Sequence, residues 1–119
     1  MKEMRDFLKK LNIDKNKPLV VATSGGPDSM ALLHILKTNG YNLICAHVNH
    51  NLREVSKQEY IFVENYCKEN NIIFEGMEIK SYKNNKFTET EAREKRYNFF
   101  IEILNKYKTD ILLTAHHGD

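Results

Sequence analysis

Ser24-Gly25-Gly26-Pro27-Asp28-Ser29 brings two glycines, two hydroxyls and a carboxylate into six consecutive positions. Paired glycines let a backbone run close to a ligand and take positive φ where the turn needs it. The apolar run Leu19-Val20-Val21-Ala22 before the hexapeptide reads as a buried strand, and residues 30–37 after it read as a helix. At such a junction the unpaired N–H groups of the helix start face outward, with the positive end of the helix dipole behind them. The ligand that suits this concavity is an anion, phosphate above all. No Gly-Lys-Ser/Thr closes the loop as in a Walker A sequence, and the Gly-x-Gly-x-x-Gly dinucleotide spacing is absent. The same residue types also build ordinary turns and helix caps. Five specified residues in one order at a strand-to-helix junction favour the phosphate reading. Pro27 suits an early helical position, where its missing N–H does no harm.

The elements that must carry this loop follow from periodicity. Met4, Phe7, Leu8 and Leu11 predict an amphipathic helix over residues 2–11. Strand one spans 18–23, and helix one spans 29–38 with Asn39-Gly40 as its C-cap. Strand two covers 42–48, followed by a polar loop over 49–56. Ser56 and Glu59 form a capping box that opens helix two, which turns Tyr60, Val63, Tyr66 and Cys67 inward and stops at Asn70-Asn71. Strand three covers 72–79, and a Lys- and Asn-rich loop occupies 80–87. Thr88 and Glu91 form a second capping box at the head of a helix reaching Lys106, with Ala92, Phe99, Phe100, Ile103 and Leu104 as its core stripe. Strand four covers 110–114.

Strands alternating with helices predict an α/β fold, a doubly wound parallel sheet covered on both faces. The expected order is 3-2-1-4, with the switch point between strands one and four. Ligands of such sheets bind beyond the carboxyl ends of the strands at that point. The hexapeptide, the segment His47-Val48-Asn49-His50 and the segment Ala115-His116-His117-Gly118-Asp119 would then converge on one crevice.

Composition sets outer bounds. The 119 residues suffice for one domain, and 41% hydrophobic with 29% charged residues is ordinary for a globular protein. A net charge of +2 does not by itself argue for nucleic acid. Cys45 and Cys67 match no zinc or redox spacing, which fits buried small hydrophobes and a reducing, cytoplasmic compartment. No apolar run reaches membrane-spanning length, so no membrane partner is expected. His47 and His50 lie three apart, but no Cys or third His stands near enough to complete a zinc site.

Ser-Gly-Gly-x-Asp-Ser after a first strand resembles the pyrophosphate loop of the N-type ATP pyrophosphatases, which cleave ATP between the α and β phosphates. Three further stretches, residues 47–53 (His-Val-Asn-His-Asn-Leu-Arg), 92–97 (Ala-Arg-Glu-Lys-Arg-Tyr) and 113–119, are similar to the tRNA(Ile)-lysidine synthetase family within that group. The likeness runs from Pro18 onward. It implies an adenine nucleotide alpha hydrolase-like fold and a two-step ligation. The C2 oxygen of the wobble cytidine in an isoleucine tRNA with a CAU anticodon attacks the α-phosphate of ATP, and the ε-amine of free L-lysine then displaces AMP. Related readings are a 2-thiocytidine-forming tRNA enzyme and a nucleotide-binding module without turnover. The former calls for paired cysteines that Cys45 and Cys67 do not supply.

By matching positions, the resemblance implies that Ser24, Gly25, Gly26, Pro27, Asp28 and Ser29 hold ATP. Asp28 and Asp119 become the Mg²⁺ carboxylates, and Asp28, Asp119, His116 and Arg93 the catalytic group. His47, Asn49, His50 and Arg53 become contacts to nucleotide or tRNA. Asp28 could equally serve as a helix N-terminal carboxylate, worth about 0.3–1 kcal/mol through the dipole. A carboxylate beside a polyphosphate favours the metal role, because a cation must intervene. Spacing alone would make Arg93, Arg96 and Tyr97 a solvated, salt-bridged helix face, while the resemblance singles out Arg93. Gly118 departs from the family's usual Ala. The motif's second Asp and its Glu-Thr run lie beyond Asp119, so the chain reads as the N-terminal part of a catalytic domain lacking C-terminal tRNA-binding domains.

Overall fold

The computed structural model describes residues 16–24, 26–49 and 54–114. Four strands, β1 (Leu19–Ala22), β2 (Leu43–Asn49), β3 (Ile73–Glu78) and β4 (Leu112–Thr114), form one sheet in the order β3-β2-β1-β4. All three pairings are parallel, with Ala22 opposite both Ala46 and Thr114. The expected order and switch point are therefore present. Helices α1 (Pro27–Thr38), α2 (Glu54–Glu69) and α3 (Glu89–Lys106) connect the strands in turn.

Alternation along the strands sorts the core into two layers. Leu19, Val21, Leu43 and Cys45 point to one face and pack with Leu32, Leu33 and Leu36 of α1 and Val63 and Cys67 of α2. Val20, Ile44 and Ala46 point to the other and pack with Phe100 and Ile103 of α3. Both cysteines are fully buried in the first layer and unbridged, as small hydrophobes should be.

Several boundaries move from their expected places. Helix α1 begins at Pro27 rather than 29, because Pro27 already holds a helical φ at the N1 position and Gly26 serves as N-cap. It ends as expected: Gly40 takes φ 86° and Tyr41 N–H donates to Leu36 O at 3.2 Å, closing a Schellman turn. Helix α2 begins at Glu54, which puts Ser56 inside the first turn; the Ser56–Glu59 pattern is thus not the cap. At α3 only half of the second box forms. Thr88 Oγ1 accepts from Glu91 N–H at 3.2 Å, but both Glu91 carboxylate oxygens take the N–H of Lys83 instead, at 3.0 and 3.1 Å. That contact holds a short 3₁₀ turn, Lys83–Asn85, where a plain loop was expected. The helix expected over 2–11 lies outside the described residues.

The C-terminus of α3 is tied to edge strand β3 by Glu75. Its Oε2 accepts from Lys106 Nζ at 2.8 Å and from the Tyr107 hydroxyl. Partial burial works to raise the Glu75 carboxyl, but these two donors outweigh it and hold the carboxyl below its ordinary value. Glu75→Gln, which keeps the shape and removes the charge, is expected to cost about 1–2 kcal/mol at neutral pH. Since the folded value is depressed, the charge contributes fully above the unfolded value of 4.5 and is lost as acid protonates the folded carboxylate. Denaturant midpoints of wild type and variant should therefore converge well below that pH.

Candidate active site

The chain leaves β1 through Thr23, and three successive residues of β2 hold it. Thr23 N–H donates to Ala46 O at 2.8 Å, and the Cys45 thiol donates to Thr23 Oγ1 at 3.2 Å. His47 Nδ1 lies 2.6 Å from Thr23 O. A carbonyl only accepts, so Nδ1 carries the proton and the Nε2 lone pair is left. His47 is 3% exposed, and burial pushes its basicity down despite the Thr23 carbonyl and the nearby Glu59. It is a neutral imidazole at pH 7. Tyr60 of α2 covers it at a 5.7 Å ring separation and meets Phe74 edge-on at 5.3 Å. Gly76, opposite His47 in the β2–β3 register, makes room for that tyrosine; a Cβ there would collide with its hydroxyl.

Beyond Thr23 the two serines of the hexapeptide lock onto each other. Ser29 Oγ donates to Gly26 O at 3.1 Å and accepts from Ser24 N–H at 3.2 Å. Ser24 Oγ, 3.2 Å from Ser29 Oγ, accepts from Gly26 N–H at 3.3 Å. Ser29 is buried at 2% exposure, while Ser24 is exposed. Gly26 O also accepts the first helical N–H, from Met30 at 3.1 Å. As the N-cap, Gly26 has no side chain to accept from the first-turn N–H groups, so an external anion can take that place. Asp28 is exposed in the same turn.

The structure brings Ser24, Gly26, Pro27, Asp28 and Ser29 together at the β1–α1 junction and puts β2's His47 directly beneath it. Asn49, at the carboxyl end of β2, is 4% exposed, and its carbonyl accepts Ile79 N–H at 2.8 Å. His47 and Asn49 both lie inside, where a direct contact to substrate was expected. Arg93 sits on the exposed side of α3, its guanidinium 5.7 Å from the Tyr97 ring centre. Among the described residues no hydrogen bond joins Arg93 to the β1–α1 loop. Gly25, His50, Arg53, His116 and Asp119 lie outside the described residues. Among the described residues no group of three or more His, Cys, Asp or Glu is placed to hold a metal.

The roles of Thr23, Cys45, Tyr60 and Gly76 beneath the loop were not legible in the sequence, where Cys45 and Tyr60 read only as core residues. Only Gly76 carried a local signal, since an isolated glycine inside a strand marks a close approach.

A parallel sheet with a serine- and glycine-bearing strand-to-helix loop at its switch point defines a doubly wound α/β domain, a class whose ligands bind beyond the carboxyl ends of the strands. More narrowly, a family model described as the PP-loop domain matches residues 1–119, and the chain belongs to that family. It is similar to the tRNA(Ile)-lysidine synthase of Bacillus subtilis (strain 168), 43% identical over 128 aligned positions that cover all of this chain and 27% of that protein. It is likewise 42% identical to the tRNA(Ile)-lysidine synthase of Staphylococcus aureus (strain MRSA252), over 85% of this chain and 25% of that one. The chain thus spans about a quarter of the length of these relatives. Among solved structures, the U34-tRNA thiolase NcsA of Methanococcus maripaludis shares the fold with a TM-score of 0.76 at 20% identity, over 98% of this chain and 44% of that one.

His47 yields a pH prediction with a definite sign. Its folded basicity lies below the ordinary 6.5, so below that pH the unfolded chain binds a proton that the folded chain refuses. Stability should fall as pH drops through 6.5 toward the folded value. His47→Asn, whose amide can reach Thr23 O without titrating, should flatten that part of the pH profile of urea midpoints.

Proposed function

We propose that this chain is the ATP-binding part of an enzyme that ligates lysine to the wobble cytidine of an isoleucine tRNA with a CAU anticodon. The observation that carries the reading is the Ser24–Ser29 lock ending on an uncapped glycine at the switch point. PP-loop membership and the names of the relatives supply the nucleotide and the tRNA. The fit to a polyphosphate is good. A Cβ on Gly26 would sit 3.4 Å from Ser24 Oγ, in the space assigned here to a phosphate oxygen, and the bare glycine leaves that space open. Ser24 Oγ and the first-turn N–H groups then donate to the phosphates, Ser29 holds the loop in shape, and Gly25 is a further proposed ATP contact.

The reaction asks for no protein nucleophile. The cytidine C2 oxygen attacks the α-phosphate and pyrophosphate leaves; the lysine amine next attacks C2 and AMP leaves. The protein's part is to hold the reactants in line and to stabilise the charge that develops on the phosphates. Mg²⁺, when bound, neutralises phosphate charge. Asp28, exposed in the first turn of α1, would be one ligand to it, in keeping with a cation that needs one or two carboxylates plus phosphate oxygens. Asp119 is the second proposed ligand. His116 and Arg93 complete the proposed catalytic group, and the segment holding Asn49, His50 and Arg53 approaches nucleotide or tRNA. The reaction occurs in the cytoplasm, where the tRNA is modified, and the remaining tRNA contacts belong to the rest of the full-length enzyme. A thiolation chemistry is less favoured, because Cys45 and Cys67 are both sealed in the core.

Two measurements test this reading. With ATP, Mg²⁺, lysine and the CAU-anticodon tRNA, a protein carrying this chain at the full length of its relatives should release pyrophosphate and incorporate lysine. Neither product would sink the ligase reading, whereas ATP binding by the short chain without turnover would support a binding module. Gly26→Asp places a carboxylate at the N-cap, where it can take the first-turn N–H groups itself. Its melting temperature should hold or rise slightly while its ATP affinity drops at least about tenfold, equivalent to ~1.4 kcal/mol. An unchanged affinity would remove the loop from the site.

A further inference from the structure

The segment 80–97 holds six Lys and Arg residues against three Glu, although the whole chain is only +2; the remainder is net negative. Positive charge is therefore gathered in one stretch, the β3–α3 connection and the first turns of α3. This stretch is braced rather than loose. Glu91 takes the Lys83 N–H with both oxygens, and Lys95 Nζ donates to Ser81 O at 2.9 Å and pairs with Glu91 at 3.2 Å. Tyr82 and Phe87 meet edge-on at 5.2 Å, and Asn84 and Asn85 both take the left-handed conformation at φ 57° and 52°. Glu91 and Lys95 are consumed in this bracing. The side chains of Lys80, Lys83, Lys86 and Arg93 are exposed, interleaved with two exposed aromatics, Phe87 (39%) and Tyr97 (49%).

Position matters as much as charge. In a parallel sheet every strand delivers its chain to the same edge, so this connection emerges on the same side as Ser24–Ser29. β3 lies two strands from β1, about 10 Å along that edge at the usual ~4.8 Å spacing. Cations that track a phosphate backbone, with exposed rings on which unstacked bases can lie, make a single-strand nucleic-acid surface. A membrane surface would need a continuous apolar face, and here the rings alternate with cations instead.

We infer that Lys80, Lys83, Lys86 and Arg93, with Phe87 and Tyr97, form a docking surface for single-stranded RNA beside the nucleotide loop. The surface rests on the tRNA reading above and gives that reading a place on this chain where the RNA strand lies. Bracing the loop in advance lowers the ordering cost of binding.

The test is binding of a labelled single-stranded RNA oligonucleotide to the protein across a salt series, with ATP binding and thermal melting measured in parallel. The triple variant Lys80→Gln/Lys83→Gln/Lys86→Gln leaves the Lys83 backbone contact to Glu91 intact. It should weaken RNA binding at least about tenfold at low salt and flatten the salt slope by about 2, three cations at about 0.7 each. Tyr97→Ala should weaken it roughly fivefold or more with the slope unchanged. ATP affinity and melting temperature should hold in both. Equal RNA affinity and slope in the triple variant would overturn the inference. So would a wild-type protein that binds anionic phosphatidylserine vesicles but not the RNA. Loss of ATP binding in the wild type, with RNA binding and its variants behaving as stated, would instead sink the ATP-dependent reading and leave the RNA surface standing.

Discussion

Strand β1 is buried on both faces and paired on both edges, and the architecture follows from that constraint. Leu19, Val20 and Val21 have no exposed surface at all, so each is worth about 1.5–3 kcal/mol against leaving it in water. One layer of helices must cover Leu19 and Val21, and another must cover Val20. Once β2 and β4 occupy its two edges, the chain leaving β1 emerges at the carboxyl edge between these two parallel strands, at the switch point of the strand order. The loop at that exit is the one with the glycines and the serines.

Placement alone does not make an anion site; the exit must also be rigid. Thr23 supplies that rigidity, because its N–H, hydroxyl and carbonyl are held by three consecutive residues of β2. The holding groups are themselves sealed. Cys45 is fully buried, with the equally buried Cys67 in the same core layer. His47 is kept neutral under Tyr60, and Tyr60 fits because position 76 is glycine. A set of core residues that touch no ligand thus governs how the loop points. Preorganisation of this kind is what phosphate chemistry asks of a protein where the substrates supply the reacting groups, as in the proposed ligation.

The shared edge also organises charge. The same rule that sends Ser24–Ser29 to one side of the sheet sends the β3–α3 connection there too, with its outward lysines and rings. Glu91 shows how local sequence signals can be redirected. In the Thr88–Glu91 pattern it should reach back to the helix N-cap, but the Lys83 N–H is a better-placed donor once the preceding loop folds over. The helix keeps its Thr88 cap and the loop gains an anchor.

Periodicity and turn chemistry in the sequence determined the element order, the parallel sheet, the switch point and the strand-to-helix junction at Ser24–Ser29, because each depends on residues within a few positions of one another. The Gly40 cap and the Thr88 cap were legible for the same reason. The start of α2 was not, because Ser56 and Glu59 fit a cap pattern without holding the dihedral angles of one. Tertiary structure alone decided the role of His47. In sequence it is a polar residue beside Asn49 and His50 at a strand end, suited to touching a substrate. In the folded chain its neighbours come from positions 23, 60 and 76, and they make it a buried, neutral donor to a backbone carbonyl. Likewise the partners of Cys45 and Glu75 lie 22 and 31 positions away. No local pattern encodes contacts across such separations, because they form only when burial of β1 brings the layers together.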